Sequence, residues 1–427
     1  MNIAVIGGGI SGVSIARLLQ GYAHVTVFEK NPRIGGLIAC EDLPTGLYHK
    51  LGGHVFNTKS QQVSHWFWQH FDRENEFHYL IRNAQILIDQ AYINYPIENN
   101  IYQLPEALCG NIIGELLAGA GRNDSATASK NLGEFFLKTF GKTLCETYFF
   151  PYNEKIWRCD LSEIALDWLE GKLPMPKLPE ILSSNILRKP ESAMVHARFY
   201  YPKKGGSQFV IDRLAEGLNL RCNTPVTSLK QTVDGLWQVN DEACRYDHVV
   251  YCGDVRQIDS LLGEVIPLSN PASIKSLRTR GITNVFCECD RTDISWLYLP
   301  GREFKANRII YTGGFSSQNN FGDRMTCVVE FLHGESMDNI QNDIARLPGN
   351  LAMQSINHVR DAYIIPQADT RQRINELKQN FSSRHLHLLG RFAEWEYYNI
   401  DKCIESAINL RETILHASAA TAPKKVA

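Results

Sequence analysis

The chain has 427 residues, 44% apolar and 21% charged, the composition of a soluble globular protein of about two or three subdomains. A net charge of -2 excludes a global basic field for nucleic acid or anionic lipid, so an anionic ligand must be held by a few placed arginines. No apolar run reaches the roughly eighteen residues of a membrane span, the opening NIAVIGGG is too short for a signal sequence, and eleven cysteines without a CxxC pair read as reduced thiols; a cytoplasmic protein without a metal site is expected.

Asn2 to Ile6 predicts a buried strand, and Gly7-Gly8-Gly9-Ile10-Ser11-Gly12 supplies a GxGxxG turn into an amphipathic helix. Gly7 allows the tight turn, Gly9 a close backbone approach to a pyrophosphate, and Gly12 close helix–strand packing. The helix N-terminus offers free N–H groups to phosphates. His24 to Phe28 predicts a second strand ending at Glu29, whose carboxylate can accept from a ribose diol. The bland alternative is a glycine-rich turn with no ligand. These residues leave NAD and FAD open. The next segment, Lys30 to Leu37 with its glycine pair Gly35-Gly36, resembles the loop that runs along FAD in proteins of the amine oxidase and glutathione reductase type.

Beyond it, LGGHVF (51–56) again brings backbone close to something, and a helix is expected with Val63, Trp66, Phe67 and His70 on one side. Residues 82–102 alternate as strands; 105–120 and 131–182 read as largely helical; 199–218 reads as strand, glycine turn and helix. A hairpin and a buried strand follow between Arg221 and Tyr251, then several strands over 282–332, a last strand in HLHLLGRF (385–392) and a last helix from Asp401 to Leu415. The fold class is therefore α/β: a discontinuous Rossmann-type FAD-binding domain (1–81, 205–265, 380–420) with a helical insert (103–185) and an antiparallel sheet insert (82–102, 186–204, 266–379). TGGFSSQNNFG (312–322) is a candidate lid, and the tail ASAATAPKKVA is expected to fray.

Five stretches together resemble the UDP-galactopyranose mutases, flavoenzymes of nucleotide-sugar metabolism. They are the opening signature, LGGHVF, FFPYNEKIW (149–157), RIIYTGGFSSQNN (308–320) and GRFAEWEYYNID (390–401). The resemblance implies an isomerase that interconverts UDP-galactopyranose and UDP-galactofuranose, for cell-surface polysaccharide, through an adduct between N5 of reduced FAD and the sugar. The alternatives are an amine oxidase-like oxidoreductase or a mutase for another nucleotide sugar, and the oligomeric state stays open. FFPYNEKIW alone reads either as an aromatic-packed helix end or as a base-stacking platform. The resemblance makes Tyr152 the residue stacking on uracil, with Asn153 and Trp157 beside it. It gives Arg308 the catalytic arginine's role toward the diphosphate, which calls for planar bidentate donors.

A second family arginine finds Tyr200 at its matching position. Arg198, two residues upstream on the same strand face, is the candidate substitute. Around GRFAEWEYYN the resemblance places Gly390 and Arg391 by the flavin, Tyr397 on the diphosphate, and Asn399 and Ile400 at a helix start facing the cofactor, with Trp395 read equally as core filling. Asn399 stands where bacterial mutases usually have aspartate, and Glu396 where many have a basic or neutral residue. His54, after Gly52-Gly53, falls near the flavin's reactive face, and Val226 contacts the cofactor from the returning segment. No HxxxH or HExxH spacing accompanies the other histidines.

Overall fold

The computed structural model describes residues 1–119, 129–166, 177–188, 197–263, 271–367 and 369–421, with side chains to 416. Part of the stretch expected to be helical, and the tail beyond Thr421, therefore lie outside the described residues; the first part of the tail, expected to fray, instead continues the last helix to Thr421.

The β-branched run Asn2–Ile6 forms the middle strand of a five-stranded parallel sheet. His24–Phe28 and Asn219–Arg221 extend it on one side, His248–Tyr251 and Leu386–Leu388 on the other. Ile3, Ala4 and Val5 are fully buried, as a parallel strand covered on both faces requires. The helices Ile10–Leu19 and Ile400–Thr421 pack against each other beside this sheet, and Ile404 and Ala407 are fully buried. The sheet draws its strands from all three segments expected to build the nucleotide domain.

A second, seven-stranded sheet runs in the order 352–365, 278–289, 325–332, 308–310, 296–298, 84–88, 91–94. It is antiparallel except where Ala84–Ile88 pairs parallel with Trp296–Tyr298. Its edge strand Ala352–Ile365 and the helices Met337–Arg346 and Thr370–Ser382 were not anticipated from the sequence. Arg198–Pro202, expected in this sheet, instead forms a separate two-stranded ribbon with Phe77–Ile81.

The helical insert includes Glu106–Gly119, Leu132–Leu144 and Phe150–Trp157. Gly141 (φ 80°) kinks the second of these, and a π-turn, Cys145–Phe149, leads into the third. Phe136, Phe140 and Phe149 stack inside the insert, and Tyr148 and Tyr152, one helical turn apart, stack at 5.5 Å. The hydrophobic core of the insert merges with residues of the second sheet, including Trp296, Tyr298 and Ile310.

Candidate active site

A cavity of ≈ 330 Å³ opens where the nucleotide domain, the seven-stranded sheet and the helix Phe150–Trp157 meet. Tyr152, Asn153 and Trp157 line it from the helix. Arg308 and Glu330 come from neighbouring strands, and Tyr363 from the long edge strand. Gly53 and His54 come from the loop after Leu51, and Arg391, Tyr397, Asn399 and Ile400 from the last segment. The aromatic and guanidinium residues expected to meet thus share one cavity although they are far apart in the chain.

The electrostatic centre is Arg308. Its Nη2 donates to Glu330 Oε2 (2.9 Å) and to the Tyr363 hydroxyl (2.7 Å), and that hydroxyl donates to Glu330 Oε1 (2.9 Å). Strand pairing sets this up, because Arg308 lies opposite Glu330 in the ladder. Burial works against the Arg308 charge, but the Glu330 carboxylate and the hydroxyls of Tyr363, Tyr152 and Tyr298 more than restore it, keeping its pKa above the ordinary guanidinium value. Burial pushes Tyr152 and Tyr363 well above the usual phenol range, so both stay neutral donors. Tyr363 stacks on Tyr397 (6.0 Å), and the Arg391 guanidinium lies 4.0 Å over the Tyr397 ring. Arg391 is buried, with Nε and Nη2 lacking a hydrogen-bond partner among the described residues.

Arg82, Tyr95, Trp296, Tyr298, Glu330 and Tyr363 line the cavity and were missed from the sequence. Arg82 packs its guanidinium among the rings of Tyr95, Trp296 and Tyr298 and donates to the Tyr298 hydroxyl. The available signal was an inverted strand: Tyr79 and Ile81 are exposed, which turns Leu80 and Arg82 inward. Glu330 had a signal too, as the lone charge in the fully buried and largely apolar strand Met325–Leu332. With Arg82, Arg308 and Arg391 against Glu330, the lining carries three cations and one anion, a formal surplus of two positive charges.

Other expected residues lie elsewhere. Arg198 is exposed on its ribbon, because Phe199 and Tyr201 take the inward face. Tyr200 accepts from Arg73 and packs against Trp68 and Tyr79. Neither lines the cavity. Glu396 is engaged by Arg371 (2.7 Å), and Trp395 is buried under Arg256. Asn153 and Trp157 bond to each other (3.3 Å), and the Asn153 amide also donates to Phe149 O. The stretch 312–322 is not a free lid. Asn319 donates to Tyr201 and to Thr312 O, Asn320 holds Gly313 and Thr326, and Phe315 is buried.

The opening glycines form a cradle that side chains would fill. A Cβ on Gly12 would stand 2.0 Å from Gly7 O, one on Gly36 would stand 3.1 Å from the Gly9 Cα, and one on Gly390 would stand 2.3 Å from Ser11 Oγ. The helix after Gly9 has no side-chain cap, which leaves its first N–H groups to a ligand. Glu29 is buried and accepts from the N–H groups of Gly8 (2.7 Å) and Asn31 (2.9 Å). Lys30 is exposed; Leu37 and Val226 are half-buried against neighbouring cores. Cys403 N donates to Asn399 O, making Asn399 the first residue of the last helix's capping turn. This cradle, together with the partnerless N–H groups of Arg391, fits a flavin dinucleotide lying from Gly9 toward the cavity. Among the described residues, no group of three or more side chains could hold a metal ion, and no helix is long and apolar enough to cross a membrane.

The chain is similar to known flavoproteins and sugar mutases. The family described as flavin containing amine oxidoreductase matches residues 10–335. A protein of Klebsiella pneumoniae named "Probable UDP-galactopyranose mutase" is 28% identical over 179 residues, 41% of this chain and 45% of that protein. The dTDP-fucopyranose mutase of Escherichia coli is 30% identical over 181 residues, 41% and 46% of the two chains. The matches thus span just under half the length of these two relatives. In fold, the chain is similar to a reduced UDP-galactopyranose mutase, with a TM-score of 0.86 at 20% identity over 97% of this chain and 96% of the other.

Proposed function

The chain belongs to the flavin-containing amine oxidoreductase family, and from that premise we propose that it is a nucleotide-sugar mutase that interconverts UDP-galactopyranose and UDP-galactofuranose. The observation that carries the reading is the convergence of Tyr152, Arg308 and Tyr397 on one cavity, whose surplus of two positive charges suits a diphosphate.

In this reading reduced FAD, held by the glycine cradle and Arg391, would supply the nucleophile for exchange at the anomeric carbon of the sugar. The protein's part is placement and electrostatics. Tyr152, held by its stack on Tyr148, offers a face to the uracil. Arg308, aimed by Glu330 and Tyr363, takes the leaving diphosphate, and the Tyr397 hydroxyl and Arg82 complete its shell. Arg391 would serve the flavin edge, and His54, after two glycines, lines the same cavity. Arg198 and Tyr200 take no part, since they face away from this space.

The test is turnover of UDP-galactopyranose by dithionite-reduced holoprotein, with products separated by chromatography. Furanose formed only after reduction supports the reading. Oxygen consumption with an amine, without UDP binding, sinks it. The similarity to a dTDP-fucopyranose mutase favours one second reading, a dTDP-sugar substrate in the same cavity. Competition between UDP and dTDP separates the two.

A further inference from the structure

We propose that Lys155 is a positioning residue of this cavity: its ammonium ties the helix Phe150–Trp157 to the turn between the strands Trp296–Tyr298 and Arg308–Ile310, and so fixes Tyr152 relative to Arg308. The proposal rests on the reading above for the identity of the ligand only.

Lys155 points away from the cavity that its neighbours Asn153, Ile156 and Trp157 line. Its Nζ donates to three carbonyls of one turn: Leu299 O (2.6 Å), Gly301 O (2.6 Å) and Ala306 O (3.2 Å). An ammonium has three donors, and all three are used. The same turn is held from its other side by Asp343, almost wholly buried, whose Oδ2 accepts from the N–H groups of Lys305 (2.5 Å) and Ala306 (2.8 Å). A cation thus collects the turn's carbonyls and an anion its amides. Tyr298 and Arg308 are the last paired residues before the turn, so fixing the turn fixes both. Tyr298 meets Tyr152 edge to face at 5.5 Å, which closes a loop of contacts from Lys155 back to its own helix. A half-buried lysine with no direct carboxylate partner is costly, and packing alone would be served by an apolar residue. What the ammonium adds is a single geometry for three carbonyls.

Burial lowers Lys155 to about 8, while Glu303 and Asp343 pull it up and Lys305 pushes it down. Between that value and the ordinary lysine range Lys155 binds more protons in the unfolded chain than in the folded one, so its own contribution to global stability rises with pH there. Locally the effect is opposite, because a neutral amine has one donor fewer for three carbonyls. Loosening of the turn at alkaline pH is therefore separable from unfolding.

The experiment uses the full-length flavin-loaded protein and Lys155→Met. Hydrogen exchange should accelerate at least about tenfold across 299–307, and the UDP dissociation constant should rise at least about tenfold, with flavin content and absorbance unchanged. If Lys155→Met does not fold, wild type decides alone. From about pH 7 to about pH 9, exchange in 299–307, corrected for its intrinsic pH dependence, should accelerate more than exchange in the strand Asn2–Ile6, and UDP binding should weaken. Unchanged exchange in the turn overturns the proposal. So does faster exchange with unchanged UDP affinity, which would make Lys155 structural only. Wild type that does not bind UDP at all overturns the nucleotide-sugar reading instead, and exchange in the turn still judges Lys155.

Discussion

Glu330→Gln is the sharpest probe of the cavity, because it changes one atom and no volume. Glu330 has 2% of its side chain exposed and accepts two bonds of 2.9 Å, from Arg308 and from Tyr363. Glutamine offers one acceptor, so either Arg308 or Tyr363 loses its partner, and the attraction between charges goes. Breaking a buried pair costs about 3–5 kcal/mol when the survivor is sealed from water. Arg308 keeps 21% of its side chain open toward the cavity, so water recovers part of this. A loss of about 2 kcal/mol is expected, of the order of one charged hydrogen bond. Urea denaturation of the flavin-loaded protein measures it. Turnover should fall at least about tenfold, because Arg308 is no longer aimed, while UDP binds at least as tightly in a cavity one positive charge richer. A variant with wild-type stability and wild-type turnover would refute the role given to Glu330.

The remaining predictions test other parts of the site. Gly390→Ala should lose flavin, since φ is +94° there and the new Cβ would lie 2.3 Å from Ser11 Oγ; the ratio of flavin to protein absorbance measures it. Tyr152→Leu should weaken UDP binding by about 1–3 kcal/mol, the worth of one base–aromatic stack, and Tyr152→Phe should stay near wild type; calorimetry decides. Burial lowers His49 to about 4, His248 to about 4 and His387 to about 3. Below about pH 6.5 the unfolded chain therefore binds more protons than the folded one, and stability should fall as pH drops toward about 4. A urea-midpoint series follows this, and His49→Gln should flatten it.

Legibility in the sequence followed the range of the interactions. The strand–glycine–helix–strand opening could be read because its parts are neighbours in the chain, and so could the aromatics of FFPYNEKIW and GRFAEWEYYN. Arg82 and Glu330 left only weak local traces and Tyr363 none, because their meaning lies in pairing between strands distant in sequence. Arg198 was placed on the correct strand but assigned the wrong face: parity along Arg198–Pro202 is set by the ribbon partner Phe77–Ile81, which no local pattern announces. The edge strand Ala352–Ile365 was hidden by its own polarity, since the half-buried Asn357 and the exposed His358 and Arg360 mask the alternation.

The parallel sheet has a consequence for folding. Its central strand Asn2–Ile6 and its edge strand Leu386–Leu388 are far apart in sequence, and Gly390, Arg391 and the helix from Ile400 follow that edge strand. The dinucleotide cradle therefore closes only when segments of large sequence separation pair, the slow kind of step in folding, and flavin binding reports that this sheet is complete.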